Sequence, residues 1–309
     1  MCLFARLSRT ILSMIIMFGS SLSTLYASNP PEVQFQVTSE WLTAHRQDAQ
    51  VRILDLRSDG DYRLGHIDGA VSLPIERLFS NDKGKHYIAS LDRIRTAFGG
   101  AGIGADTLVV VYDAGELVSS TRAFWVLEVY GHTRVVVLDG GFKAWMEKQL
   151  PISIQETISQ PRAFVPRVTP DRLATKLTTR LAINRPQTVI VDVRDRDQYS
   201  GKKSLAPRSG HIPSAINIPG TDSFDASSGD LRLKSMAELR VLYKQINPAS
   251  SVITYCNDGV RGSVAYFALR RLGYNVANYD GAWLEWGNDL ALPVVAPLND
   301  RRREGQLDL

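Results

Sequence analysis

The chain has 309 residues, and its 36 lysines and arginines against 32 aspartates and glutamates give a net charge of +4. An apolar share of 44% and a charged share of 22% are those of a soluble globular protein with room for two ordinary domains. So slight a charge excess excludes a nucleic-acid polycation, and no nucleic-acid partner is expected.

The first residues read as an export signal. Arg6 and Arg9 precede an apolar, serine-containing stretch from about Ile11 to Leu25, followed by Tyr26-Ala27-Ser28, with no acidic residue before Glu32. Ser13, Gly19, Ser20, Ser21 and Ser23 make the stretch a poor membrane span. Residues 1–27 are therefore expected to be removed, giving an exported protein that is periplasmic if the source is bacterial. An uncleaved anchor is the alternative and the one route to membrane association, while a mitochondrial presequence is disfavoured by so few arginines. Cleavage would lower the net charge to +2 and take away Cys2, leaving Cys256 as the sole thiol and no internal disulfide.

Beyond the signal, short β-branched runs alternate with helical patterns. Strands are predicted at Val51 to Leu54, Leu108 to Val111 and Val135 to Leu138, then at Thr188 to Val191, Val252 to Tyr255 and Val276 to Asn278. Helices are predicted at Thr121 to Tyr130 and Val264 to Leu272, stopped by Gly131 and Gly273, while Pro74 and Pro219 mark turns beyond a strand. Strands separated by helices mean parallel sheets covered on both faces, an α/β fold. Gln149 to Pro170, with Pro151, Pro161, Pro166 and Pro170, reads as an extended linker along the surface.

The chain also repeats itself. Ile53-Leu-Asp-Leu-Arg57 returns as Ile190-Val-Asp-Val-Arg194, Gly65-His66-Ile67 as Gly210-His211-Ile212, and Val110-Val-Tyr-Asp113 as Ile253-Thr-Tyr-Cys256. Leu138-Asp-Gly-Gly-Phe142 is matched by Tyr279-Asp-Gly-Ala-Trp283, and Trp145 by Trp286. An offset of roughly 140 residues is domain-sized. The expected organisation is an N-terminal domain over 37–150, a linker over 151–170, a catalytic C-terminal domain over 171–295 and a tail over 296–309, in which Arg301 to Arg303 look frayed.

Cys256 is the candidate nucleophile. It follows a β-branched strand and opens the loop Cys256-Asn257-Asp258-Gly259-Val260-Arg261-Gly262 ahead of a helix. Inward-facing amides from Asn257 to Gly262, the helix N-terminus and the Arg261 guanidinium would all favour a thiolate. No histidine or cysteine cluster has metal-ligand spacing, and no cofactor is expected.

Several of these motifs carry a resemblance to the tandem-domain rhodanese family of sulfurtransferases, over about Val37 to Pro293. Tyr62-x3-His66-Ile-Asp-Gly-Ala70 is similar to the family's Tyr/Phe-x3-His-Ile-Pro-Gly-Ala element, with Asp68 where proline is usual; the second copy keeps Pro213 but has Ser214 for glycine. Val276-x2-Tyr279-Asp-Gly-Ala-Trp283-x-Glu285-Trp286 fits the family's C-terminal signature at every position. The resemblance implies two similar domains, each a parallel five-stranded sheet between helices, with the active cysteine in the second domain facing the first. Asp113 stands where a first-domain cysteine would, which implies a catalytically empty copy. Arg122 matches the family's first-domain arginine that binds the anionic donor.

The resemblance further implies ping-pong transfer of a sulfane sulfur through a Cys256 persulfide to a thiophilic acceptor, such as cyanide, a thiol or a redox protein. Arg122, Arg261 and the loop residues Asn257, Asp258, Gly259, Val260 and Gly262 would bind the small anionic donor. Phosphatases and arsenate reductases with this kind of loop have Cys-x5-Arg, one residue longer than the Cys-x4-Arg found here. Thiosulfate is the favoured donor. Asp258 replaces the hydroxyl of the mercaptopyruvate enzymes' Cys-Gly-Ser/Thr-Gly pattern, although that activity and a persulfide carrier with little turnover stay open.

Other features have plainer readings. His66 and His211 occur in both copies and are expected to be structural, as are the Asp55–Arg57 and Asp192–Arg194 pairs, and Trp283 and Trp286 are expected in the core. Lys202, Lys203 and Arg208 could attract anions or simply line a solvated loop.

Overall fold

The computed structural model describes residues 35–82, 85–225 and 231–296; the expected signal segment and residues 297–309 of the tail lie outside them. The first copy runs β1 (Gln36–Val37), α1 (Ser39–His45), β2 (Val51–Asp55), α2 (Asp59–Leu64), β3 (His66–Ile67), β4 (Val71–Ser72), β5 (Phe79–Asp82), β6 (Lys85–Ile88), α3 (Leu91–Gly100), β7 (Leu108–Tyr112), α4 (Val118–Val129), β8 (Val135–Leu138) and α5 (Gly141–Glu147). After β9 (Ile152–Ser153) the second copy follows with β10 (Leu173–Ala174), α6 (Lys176–Ala182), β11 (Thr188–Asp192), α7 (Arg196–Tyr199), β12 (Ile216–Asn217), α8 (Met236–Leu242), β13 (Ser251–Tyr255), α9 (Gly262–Arg271), β14 (Asn275–Tyr279) and α10 (Ala282–Trp286).

Each copy builds one parallel five-stranded sheet, in the orders β1-β8-β7-β2-β4 and β10-β14-β13-β11-β12. The inner strands are near-continuous apolar runs because helices cover both faces, and Val109 to Tyr112 are fully buried. All six predicted strands form, each within a residue of its expected ends. The two-residue edge strands β1, β4, β10 and β12 are too short to leave a periodic signal. The antiparallel β5–β6 hairpin is a polar insertion that alternation did not reveal.

The expected paired motifs serve the fold. Asp55 receives Arg57 and the Tyr112 hydroxyl, and Asp192 receives Arg194 and the Tyr255 hydroxyl, so each copy ties two neighbouring strand ends together. His66 stacks on Tyr62 with ring centroids 3.7 Å apart, His211 stacks on Tyr199 at 3.8 Å, and each shares an Nδ1 contact with its tyrosine's carbonyl. Trp283 and Trp286 are fully buried. The proline-rich segment stays extended against the first copy, where the Arg162, Arg167 and Thr169 amides donate to the Gly99, Tyr130 and Val129 carbonyls.

The strand order puts Asp113 and Cys256 just past the carboxyl ends of the equivalent strands β7 and β13, where open α/β sheets carry their sites. The helices that follow, α4 and α9, pack on each other. Phe124 and Phe267 meet edge to face at 4.9 Å, and the Thr121 and Ser263 hydroxyls lie 3.2 Å apart. From Ser120 to Val129 every residue of α4 is buried, including the charges Arg122 and Glu128. Glu128 accepts from Arg270 at 2.7 Å and from the Tyr266 hydroxyl, both on α9. Removing one member of a buried charged network costs about 3–5 kcal/mol, because the others stay behind without partners. Glu128→Ala should therefore lower the unfolding free energy by about 3 kcal/mol or more, with Glu128→Gln milder, as read from urea unfolding.

Candidate active site

The Cys256 loop is held from three sides. From β14, Asn278 donates to the Gly259 carbonyl at 3.0 Å while its side-chain oxygen accepts from Thr254. From α10, the Trp283 and Leu284 amides donate to the Cys256 and Asn257 carbonyls. From the first copy, Arg122 donates to the Gly259 carbonyl at 2.9 Å. Two glycines let the loop close against its neighbours. A Cβ on Gly262 would lie 2.3 Å from the Asn278 side-chain oxygen, and one on Gly259, whose φ is +86°, would lie 2.2 Å from the Asp280 carbonyl oxygen.

The loop wraps the sulfur. The amides of Gly262, Asp258 and Gly259 hydrogen-bond toward the Cys256 thiol at the N-terminus of α9, and each favours the charged form. The Val260 amide instead donates to the Asp258 carboxylate at 3.2 Å. The first copy shows what the corresponding loop does with a carboxylate. Asp113 accepts from the Gly115, Leu117 and Ser120 amides and from the Ser120 hydroxyl, so its own anion fills the place the sulfur has in the second copy.

The expected thiolate does not follow from this ring. Cys256 is only 4% exposed, and burial, together with the neighbouring Asp258 carboxylate, pushes its thiol up from 9.0 to about 12 against the lowering by the three amides. The thiol donates to Asp258 Oδ1 at 3.5 Å.

Arg122 also departs from expectation. It is wholly buried, donating to the Gly259 and His86 carbonyls and pairing with Asp280 at 2.8 Å, with its guanidinium 4.2 Å from the Trp125 ring centroid. A guanidinium so engaged is a pin between the copies, with nothing turned to an incoming anion but its unpartnered Nε. Arg261, by contrast, is exposed, and its guanidinium has no ion pair or hydrogen bond among the described residues. Asn257 donates to Gln198 at 3.1 Å, and Val260 is half-buried against the core. Arg208 is taken up by the carbonyls of Trp286, Gly287, Asp289 and Leu292 at the end of α10, whereas Lys202 and Lys203 are exposed and share the single carboxylate of Asp197.

Three residues at the site had no signal in the sequence reading. The β5–β6 hairpin lays His86 on Asp258, with Nδ1 3.3 Å from Oδ2; the Tyr87 hydroxyl on Glu285 at 3.3 Å; and the Ile88 amide on Asp280 at 2.8 Å. These contacts make the first copy a wall of the second copy's site. A groove of about 630 Å³ is bounded by Val71, Leu73, Arg77, Arg93 and Thr96 and does not reach Cys256.

A strand-loop-helix cradle closed around one cysteine, on a duplicated parallel-sheet frame, defines a rhodanese-type protein. The chain belongs to the rhodanese-like domain family, which matches residues 38–148 and 174–289. A thiosulfate sulfurtransferase of Corynebacterium glutamicum is 31% identical over 280 residues, spanning 86% of this chain and 91% of that one. The sulfur carrier protein TtuD of Thermus thermophilus is 32% identical over 282 residues, spanning 86% and 97%. The crystal structure of SseA from Escherichia coli, a 3-mercaptopyruvate sulfotransferase, superposes with a TM-score of 0.72 at 28% identity, covering 81% of this chain and 99% of that one. The chain is thus a member of the rhodanese sulfurtransferase superfamily.

Two outcomes follow from the site's geometry. Gly259→Ala should destabilise the protein by about 2 kcal/mol or more, measured by thermal unfolding, because a left-handed residue would also be driven into backbone. Alkylation of Cys256 by iodoacetamide should be slow at pH 7 and keep accelerating toward pH 11 without a plateau, since the folded thiol ionises near 12. The same chain in urea should level off just above the ordinary thiol value of about 8.5.

Proposed function

We propose that the protein moves a sulfane sulfur from thiosulfate to a thiophilic acceptor such as cyanide, through a persulfide on Cys256, in an exported compartment. The observation that carries this reading is the ring of Asp258, Gly259 and Gly262 amides about a single buried sulfur. Such a ring stabilises one small anion and has no room for a large one. Cys256 attacks the outer sulfur of thiosulfate. A new S–S bond forms as the old one breaks, and sulfite departs with the electron pair. The acceptor then attacks the terminal sulfur of the persulfide and returns the cysteine. Arg261 supplies the cation that draws the donor to the loop, and Arg122 acts on it only through the Gly259 carbonyl.

Relatives named for thiosulfate, for 3-mercaptopyruvate and for sulfur carriage bracket the alternatives. Thiosulfate is favoured because Asp258 stands where a 3-mercaptopyruvate enzyme's loop would offer a hydroxyl. The carrier reading draws on one observation of its own: a cysteine only 4% exposed beneath a hairpin suits a protein that holds sulfur until a partner opens the site.

Protein incubated with thiosulfate should gain the mass of one sulfur atom on Cys256, and Cys256→Ser should gain none. A wild-type chain that stays unmodified with both thiosulfate and 3-mercaptopyruvate would defeat the proposal. The kcat/KM for thiosulfate should exceed that for 3-mercaptopyruvate. Stable persulfide with negligible turnover to cyanide would instead establish the carrier.

A further inference from the structure

Arg52 is the charged member of a pair of equivalent sheet positions. It lies opposite Val109 in the β2–β7 register, as Val189 lies opposite Val252 in the β11–β13 register. Val189 packs against the core, whereas Arg52 brings a half-buried charge to the face it shares with the fully buried Val109 and Val135. The fold of the second copy manages with a valine, so the frame itself does not call for an arginine. Nor is the charge neutralised. Among the described residues the Arg52 guanidinium has no ion pair or hydrogen bond, and its Nε is buried without a partner. The charged group that bears on it is a second guanidinium, Arg162 of the extended linker, which joins burial in disfavouring the Arg52 charge. A half-buried cation with another cation for its neighbour is costly unless an anion lies between them.

The two arginines meet at the turn Gly102-Ile103-Gly104, which has no side chain where they approach. A Cβ on Gly102, whose φ is +79°, would lie 2.2 Å from the Ser159 hydroxyl oxygen and 3.4 Å from Arg52 Nε, and one on Gly104 would lie 2.7 Å from the Arg162 guanidinium carbon. Arg162 is held in place by donating to the Thr107 hydroxyl at 3.1 Å and to Asp106 at 2.6 Å, yet its side chain stays 41% exposed. Arg134 bears on the same Asp106, so three guanidiniums stand against that one carboxylate. The Ser159 hydroxyl has a long contact of 3.4 Å to the Gln160 carbonyl and is placed beside Arg52 Nε. We infer that Arg52, Arg162 and Ser159 form a site for a small tetrahedral dianion, sulfate or phosphate, at the amino end of β2. The guanidiniums supply the charge and the forked donors that such an ion takes, and the hydroxyl supplies a third direction. By bridging β2 and Arg162 the ion fastens the linker to the first copy. It takes no part in sulfur transfer, so the site stands apart from the persulfide reading.

The test is thermal unfolding with inorganic sulfate and, separately, inorganic phosphate, each against sodium chloride of matched ionic strength. Sulfate and phosphate also strengthen burial in any protein by being excluded from its surface, and the Cys256 amide ring is a second place for an anion, so the readout is the difference between wild type and Arg52→Gln. At about 100 times the Kd the wild-type midpoint should rise by roughly 5 °C more than the variant's, and the difference should saturate. A response to either ion supports the site and names its ligand, whereas parallel curves for the two proteins with both ions would overturn it. In chloride alone Arg52→Gln should be at least as stable as wild type, because it removes a charge that has no counter-ion. A variant several degrees less stable would show that the charge is already compensated, and would also overturn the inference. Arg162→Gln should lose the anion response too, but it gives up contacts to Thr107 and Asp106; Arg52→Gln, which gives up none, keeps the test decisive if that variant fails to fold. Persulfide formation from thiosulfate by Arg52→Gln should match wild type; a defect would place the arginine in sulfur transfer and defeat the assignment.

Discussion

Arg122 and Asp280 meet across the two copies in a space that admits almost no water, and the site is organised around that pair. The guanidinium is fully buried and pairs with Asp280 while also reaching the Gly259 and His86 carbonyls. Asp280 in turn receives the Ile88 amide from the hairpin. Two charges removed from water are tolerable only when most of their hydrogen-bonding capacity is met, and all but the Arg122 Nε of that guanidinium is met here by the hairpin, the cysteine loop and Asp280 together. The pair therefore works less as a source of stability than as a constraint on which arrangement of the two copies is allowed. The helix α4, buried from Ser120 to Val129, supplies the rest of that constraint through its contacts with α9.

The duplication has left one structural device in two chemical states. In both copies a strand ends in a loop whose amides gather at the start of a helix, a geometry that attracts negative charge. In the first copy a covalently attached carboxylate, Asp113, satisfies the amides permanently. In the second the corresponding atom is a sulfur, which can carry charge or shed it. Equivalent strand-to-helix loops thus form a closed structural cap in one copy and a cradle around a sulfur in the other, with their amides drawn from different loop positions.

The cradle alone does not ionise its cysteine. Three amides lower the thiol's proton affinity, but burial and the Asp258 carboxylate raise it more. Desolvation outweighs dipoles because transferring a full charge out of water costs several kcal/mol, whereas each amide returns only part of that. The amide ring is better matched to an anion that appears during reaction than to one that must persist at rest, which is the usual logic of a preorganised polar site.

Much of this was legible in the residues themselves. The repeat, the six inner strands and the loop that opens at Cys256 are carried by local composition and spacing, as are the structural roles of the His66 and His211 stacks. Other features were not legible, and the engagement of Arg122 and the choice left open for Arg208 share a cause. Both arginines are engaged by groups remote in sequence, Asp280 for one and the end of α10 for the other, so neither is free in the way an isolated arginine suggests. His86 and Asp258 are 172 residues apart in the chain, and no periodicity marks either as the other's partner. Sequence by itself determined the duplicated parallel-sheet frame and the placing of one thiol at a helix start, because those depend on neighbours in the chain. Tertiary structure alone decided which charges are spent on holding the copies together and whether the thiol keeps its proton, because desolvation and ion pairing depend on distances through space.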